Sequence, residues 1–301
     1  MATILLAEDS STHTALMRAL LEQDGHRVDC VVDGQLAWEA FQASRPDLLV
    51  TDLHMPKLNG CELVEKVVGE DPDLPCIVVT ARGSEGLAVD ALAVGAVNFV
   101  PKNSLQKLLN HVVRQTLSMV EVNAIFQHFS GHLENPEFSI ELPNDIAAIE
   151  PAVLYVVQTL AAATGLSTVQ RIRVGAALSS ALFNAMCYGN LEIKEEDPVV
   201  SRMFTEDSRN NDEVRDRAAV HPYRDRKVQL RVSVSTVDTR FFISHDGPGR
   251  LTRLTPAPGT AESFEIEQCR GFVLMTSFMD DIIFQSGNSS VVLVKSDLEV
   301  V

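Results

Sequence analysis

Five short apolar runs punctuate the first 120 residues: TILLA at 3–7, RVDCVV at 27–32, DLLVT at 47–51, CIVVTA at 76–81 and NFVP at 98–101. They are rich in Val, Ile and Leu and almost uninterrupted, the pattern of strands buried on both faces. Amphipathic stretches such as STHTALMRALLEQDG at 11–25 and GQLAWEAFQAS at 34–44 separate them, as in strand–helix–strand units. The pattern predicts an α/β unit over 1–120, an open parallel sheet with helices on both faces. A helical pattern continues from Leu108 to about Phe129, and SGHLENPEF at 130–138 carries the Gly, Asn and Pro of a boundary. Residues 121–137 are therefore read as a helical connector and 138–301 as a second unit. That unit opens with a strand, FSIELPND at 138–145, followed by two apolar helices, IAAIEPAVLYVVQTLAAATG at 146–165 and the uncharged run Val174–Leu191. KVQLRVSVS at 227–235 and TRFFISHDG at 239–247 alternate as paired strands, and SSVVLVKSD at 289–297 is a further one. The second unit thus reads as a two-layer α+β domain, helices against a mostly antiparallel sheet. Between Glu192 and Lys227 charge of both signs is dense, and that stretch is read as a solvated insertion or partly disordered loop.

Composition narrows the function classes. The chain has 301 residues, 46% of them hydrophobic, enough for each half to bury its own core. A net charge of −16 repels phosphate backbones and anionic lipid, so neither nucleic acid nor a membrane surface is an expected partner. Cys30, Cys61, Cys76, Cys187 and Cys269 form no CxxC pair or Cys/His cluster, which argues against a disulfide framework or a zinc site. The start, MATILLAEDSS, meets acid at residue 8, too early for a signal peptide, and a cytoplasmic location is expected. Ser179, Ser180, Asn184 and two glycines make the run 174–191 a buried helix rather than a membrane span.

In open parallel sheets, ligands sit beyond the carboxyl ends of the strands, where strand order reverses. Glu8 and Asp9 stand at the end of the first strand, Asp52 at the third, Thr80 at the fourth and Lys102 at the fifth. Three carboxylates at one edge repel each other unless a cation neutralises them, and oxygen-only ligands favour Mg²⁺. One lysine and one hydroxyl then supply a point charge and a donor for a phosphoryl group. Taken singly, each residue has a plainer explanation as a solvated strand end, a β-branched filler or an exposed loop charge. Together they describe a site that places a phosphoryl group on a carboxylate.

AED at 7–9, TDLHMPKLNG at 51–60, VTA at 79–81 and NFVPK at 98–102 match, in order and spacing, the response-regulator receiver domain, which residues 1–120 resemble. The resemblance implies a flavodoxin-like fold with a five-stranded parallel sheet and a sensor histidine kinase as phosphoryl donor. It implies that Asp52 is the phospho-acceptor and that Glu8, Asp9, Asp52 and the main-chain carbonyl of His54 hold Mg²⁺. Thr80 and Lys102 would grip the phosphoryl oxygens, and Phe99 would be the aromatic switch that turns inward as Thr80 moves. A homodimer is a possible consequence of phosphorylation. The chain departs from the family in having Pro101 before the lysine and Asn103 after it, where proline often follows.

The chemistry of the second half lies in ALSSALFNAMCYGN at 177–190, with Asn184 in mid-helix, in HDGPGR at 245–250 after a strand, and in CRGFVLM at 269–275, opening a helical run. Glycines there let backbone approach a ligand, and a helix N-terminus favours phosphate. These three elements, over roughly 138–298, resemble the ATP-binding (GHKL) fold shared by histidine kinases, the gyrase and Hsp90 ATPases and the anti-sigma-factor serine kinases. The resemblance implies that Asn184 ligates the Mg²⁺ of Mg-ATP, that Asp246 meets the adenine amine between Gly247 and Gly249, that Arg270 and Gly271 lie beside the phosphates, and that 250–268 is a lid. The family's catalytic glutamate, four residues before the asparagine, is Ser180 here; its frequent histidine is Tyr188, and Arg250 and Cys269 replace further family residues. A serine hydroxyl cannot serve as a base near neutral pH. The favoured expectation is therefore a receiver controlling a degenerate output domain that binds a partner protein, a sigma factor or an anti-sigma antagonist. An active serine/threonine kinase, with Glu192 replacing the lost glutamate, is the alternative. A histidine-kinase relative using His111 or His128 is third.

Overall fold

Every residue of Leu48–Asp52 is buried, and that run, β3, forms the middle of a parallel sheet. It is joined by β1 (Thr3–Ala7), β2 (Arg27–Val31), β4 (Cys76–Thr80) and β5 (Asn98–Pro101) in the order β2-β1-β3-β4-β5. The structure, a computed structural model, describes residues 1–81, 85–120, 137–164, 166–193, 212–235, 237–248, 267–285 and 289–296. The expected connector, apart from Glu137, and the expected lid, apart from residues 267 and 268, lie outside these, as do Gly249, Arg250 and His128. The described chain falls into two compact units, the first ending at Val120.

In the first unit, α1 (Ser11–Gln23), α2 (Gly34–Ala43), α3 (Gly60–Glu70), α4 (Glu85–Val94) and α5 (Leu105–Val120) alternate with the strands. Local chemistry sets the helix starts. The Asp33 carboxylate accepts from the Leu36 amide at 2.8 Å and caps α2; Asn59 and Glu62 form a reciprocal capping box on α3. Along α5, Leu105, Leu108, Leu109, Val112, Val113 and Thr116 recur at helical spacing and are buried. Because β1 pairs with both β2 and β3, the strand order reverses there, and a crevice opens at the carboxyl ends of these strands.

The second unit contains an antiparallel sheet of β6 (Glu137–Pro143), β7 (Lys227–Val234), β8 (Asp238–His245), β9 (Asp281–Phe284) and β10 (Ser290–Ser296), ordered β6-β7-β8-β10-β9. Its helices are α6 (Ile149–Thr164), α7 (Thr168–Asn184), α8 (Asp212–Ala219) and α9 (Glu267–Phe278), and α7 runs into a π-helical turn, Ala185–Asn190. The helix α7 packs against both α6 and α9. Tyr155 of α6 meets Phe138 of β6 edge-on at 5.8 Å, and Phe272 of α9 stacks on Phe284 of β9 at 6.4 Å, so the helix layer spans the sheet from edge to edge. By length and composition Ile146–Thr164 could cross a membrane, with 44% of its most apolar window buried inside the unit.

Three sequence expectations need correction. The charged stretch 192–227 contains α8, because Val214 and Ala218, one turn apart, pack onto Cys187, Tyr188, Leu191 and Ile193. The edge strand β9 was not anticipated. The described part of α9 already starts at Glu267, so Gly271 stands inside the helix and not at its opening.

Candidate functional site

Around the crevice of the first unit, Glu8 is fully buried and Asp52 is 2% exposed, whereas Asp9 faces solvent. Carboxylate oxygens of all three lie within 4.8 Å of one another. Lys102, immediately after β5, brings its Nζ to 2.9 Å from Asp52 Oδ2 and 3.0 Å from Glu8 Oε2. A single ammonium therefore bridges two buried carboxylates. Burial raises the Glu8 pKa, the hydrogen bond from Lys102 opposes this and the Asp52 charge adds to it; the net is above the ordinary glutamate value. For Lys102 burial works downward, but its hydrogen bonds to Asp52 and Glu8 outweigh burial and the net is upward.

Asp52 Oδ1 is buried without a hydrogen-bond partner among the described residues. An orphaned buried carboxylate oxygen beside two further carboxylates suits a divalent cation held by oxygen ligands, so the residues present fit Mg²⁺. His54, two residues past Asp52, lies exposed in the following loop. Thr80 ends β4 one position beyond Val79, the cross-strand neighbour of Asp52. Phe99 is completely buried. The cis peptide bond among the described residues is at His221–Pro222, not beside Lys102.

A family model described as the response regulator receiver domain matches residues 4–114. Over 107 residues the chain is 36% identical to response regulator MprA of Mycobacterium tuberculosis, an alignment covering 35% of this chain and 46% of that protein. With MprA of Mycobacterium avium it shares 32% identity over 137 residues, 44% of this chain and 60% of the relative. Residues 4–114 are a response-regulator receiver domain. The chain spans about half the length of the curated relatives it matches. Among solved structures, a receiver domain protein from Clostridium thermocellum is 25% identical, covers 39% of this chain and 98% of its own, and has a TM-score of 0.33. Chemotaxis response regulator CheY4 of Vibrio cholerae is 26% identical over 38% of this chain and 98% of its own, with a TM-score of 0.34.

Two features of the receiver domain escaped the sequence reading. Gly60 is required by close approach: a Cβ there would lie 2.1 Å from the Asp52 carbonyl oxygen. Lys57, in the loop after Asp52, pairs with Asp33 at 2.6 Å across 24 residues, a contact with no local sequence signal.

In the second unit, Asn184 is the last residue of α7 and is buried. Asp246 is exposed, and its carboxylate accepts from the Lys227 amide at 2.8 Å. Gly247 packs on the π-helical turn, where a Cβ would lie 2.1 Å from the Gly189 carbonyl oxygen; Gly189 in turn lies under the His245 ring. Gly271 meets Ser180, whose Cβ lies 3.1 Å from the position a Cβ on Gly271 would take. These two glycines thus serve close packing, and Ser180 faces α9. Arg270 is half-buried on α9, and Tyr188 is buried edge-on against Phe183. His111 sits half-buried on α5. Glu192 Oε1 pairs with Arg226 Nη1 at 2.7 Å.

The polar centre of this region is Asn190, which sequence reasoning passed over. It is fully buried; its Nδ2 donates to Asn144 Oδ1 at 2.8 Å and to the Lys227 carbonyl at 2.9 Å, and its Oδ1 accepts from the amides of Asp246 and Gly247 at 3.0 and 2.9 Å. One side chain thereby ties the π-helical turn, the start of β7 and the turn after β8 together. The available signal was an asparagine closing an uncharged run.

Proposed function

We propose that the chain is a two-component response regulator whose receiver accepts a phosphoryl group on Asp52 from a sensor histidine kinase and thereby controls the second unit as a partner-binding output domain. The observation that carries the first part is Asp52 itself: one carboxylate oxygen paired to Lys102, the other buried and unpartnered at the centre of the crevice. The oxygen that Lys102 releases attacks phosphorus, and the unpartnered one is left for the cation. The bond from phosphorus to the donor's nitrogen or oxygen breaks as the Asp52–phosphorus bond forms, and the leaving group departs with the electron pair. Lys102 exchanges its contact with Asp52 for one with a phosphoryl oxygen, and the Thr80 hydroxyl donates to another. Glu8, Asp9, Asp52 and the His54 carbonyl would hold Mg²⁺, which offsets charge on the phosphoryl group when bound. The test is incubation with acetyl phosphate and Mg²⁺, read by intact mass. Wild type gains one phosphoryl group and Asp52→Asn gains none; equal labelling of both would refute the assignment.

For the second unit, we read the antiparallel sheet, the buried asparagine ending α7 and the DGPG turn as a nucleotide-binding fold whose catalysis has been lost. Ser180 in the glutamate position, packed on α9, weighs against the kinase alternative. A sigma factor or an anti-sigma antagonist is the class of partner this reading favours. Mg-ATP that raises the melting temperature of the second unit in wild type but not in Asn184→Ala would support a retained nucleotide site; no shift would leave protein binding as the function.

A further inference from the structure

The loop between Asp52 and α3 is held at two places. Near α3, the Gly60 amide donates to the Leu53 carbonyl at 3.1 Å, directly against the Asp52 backbone. At its apex, Lys57 has a φ of 70°, and the Leu58 amide closes a three-residue turn onto the Pro56 carbonyl at 2.9 Å. A non-glycine residue keeps a left-handed backbone only where its surroundings impose it. Two contacts with α2 do so. Lys57 Nζ lies 2.6 Å from Asp33 Oδ2, and α2 approaches so closely that a Cβ on Gly34 would stand 2.0 Å from the Leu58 carbonyl oxygen.

Asp33 is well suited to anchor this contact. Its side chain is 6% exposed, and it uses one oxygen to cap α2 through the Leu36 amide and the other to receive Lys57. The hydrogen bond from Lys57, ahead of that from Leu36, holds its pKa below the ordinary aspartate value. Lys57 itself is 59% exposed, so replacing it opens no cavity.

We propose that Lys57 and Asp33 act together as positioning residues for phosphorylation, fixing the loop that orients Asp52 and presents the His54 carbonyl. The inference rests on the receiver reading of the first unit. Neither side chain touches the reacting atoms; they act through the loop.

The test is the initial rate of acetyl-phosphate labelling of the full chain at saturating and half-saturating Mg²⁺, for wild type, Lys57→Ala, Lys57→Arg, Asp33→Asn and the Lys57→Ala/Asp33→Asn double variant. Asn keeps the helix cap but removes the charge. Lys57→Ala and Asp33→Asn should each slow labelling at saturating Mg²⁺ by about tenfold, the double variant should be no slower than the worse single, and Lys57→Arg should stay within about twofold of wild type. Lys57→Ala labelling at the wild-type rate, or single defects that multiply in the double variant, would overturn the proposal while leaving the receiver reading intact. A wild-type chain that takes up no phosphoryl group would overturn both.

Discussion

Replacing Lys102 by Met keeps the apolar stem and removes the one ammonium that separates Glu8 from Asp52. At an effective dielectric near 20, each of its contacts at 2.9 and 3.0 Å corresponds to about 6 kcal/mol before solvation is counted. Taking an ammonium that is only 16% exposed out of water cancels much of this, and deleting one partner of a buried pair typically costs about 3–5 kcal/mol. Glu8 can relieve the loss by taking up a proton, so the lower end, about 3 kcal/mol at neutral pH, is expected, or about 10 °C in melting temperature for a unit this size. The pH dependence has a definite sign. Glu8 already has a raised pKa in the folded chain, and removing Lys102 raises it further. Its contribution to stability is therefore full below the unfolded-state value and lost as pH rises through the folded-state value. Lys102→Met should consequently recover stability on acidification toward pH of about 4.5. Mg²⁺ at a hundred times its dissociation constant should restore about 2.7 kcal/mol. Trp38 is the chain's single tryptophan and lies in the receiver domain, 5.3 Å from Phe41 and 5.1 Å from the Lys66 ammonium, so its fluorescence follows this unit alone. An unchanged melting temperature at neutral pH would refute the electrostatic account, as would a loss that neither acid nor Mg²⁺ repairs.

Asn190→Ala strands the buried Gly247 amide and Asn144 Oδ1, a loss of about 3 kcal/mol, and should speed hydrogen exchange of the Asp246 and Gly247 amides; unchanged exchange would remove the clamp role. Ser180→Glu forces a longer side chain against Gly271, costing about 1–3 kcal/mol, and should loosen α7 and α9 in hydrogen exchange without yielding kinase activity. Gly60→Ala drives a methyl into the Asp52 backbone and should both lower the Trp38-detected melting temperature and slow acetyl-phosphate labelling; wild-type values for both would contradict the packing described for the loop.

The receiver site was legible because parallel strands announce their own ends. Leu48–Asp52 is buried at every position, so its apolar run stops visibly at the carboxylate, and the same holds at Thr80 and Lys102. The alternation in β7 and β8 was equally plain, with buried Val228, Leu230 and Val232 separated by exposed Gln229 and Arg231. What stayed hidden depends on contacts distant in sequence or on too few residues. The four residues of β9 carry only two inward side chains, and α8 has little beyond Val214 and Ala218 to mark its buried face. The π-helical turn shares the composition of the α-helix before it. Gly247 lies against Gly189 and Gly271 against Ser180, and neither pairing can be read from local sequence. The bond between Lys57 and Asp33, and the convergence of three chain segments on Asn190, are likewise properties of the fold.

The central claim is that Asp52 carries the phosphoryl group, and borohydride trapping tests it most directly. Reduction of an aspartyl phosphate converts that residue to homoserine with loss of phosphate, and peptide mapping then locates it. After treatment with acetyl phosphate and Mg²⁺, homoserine should appear at position 52 and nowhere else. Homoserine at position 9, the reduced form of a glutamyl phosphate at position 8, or no conversion at all would contradict the account.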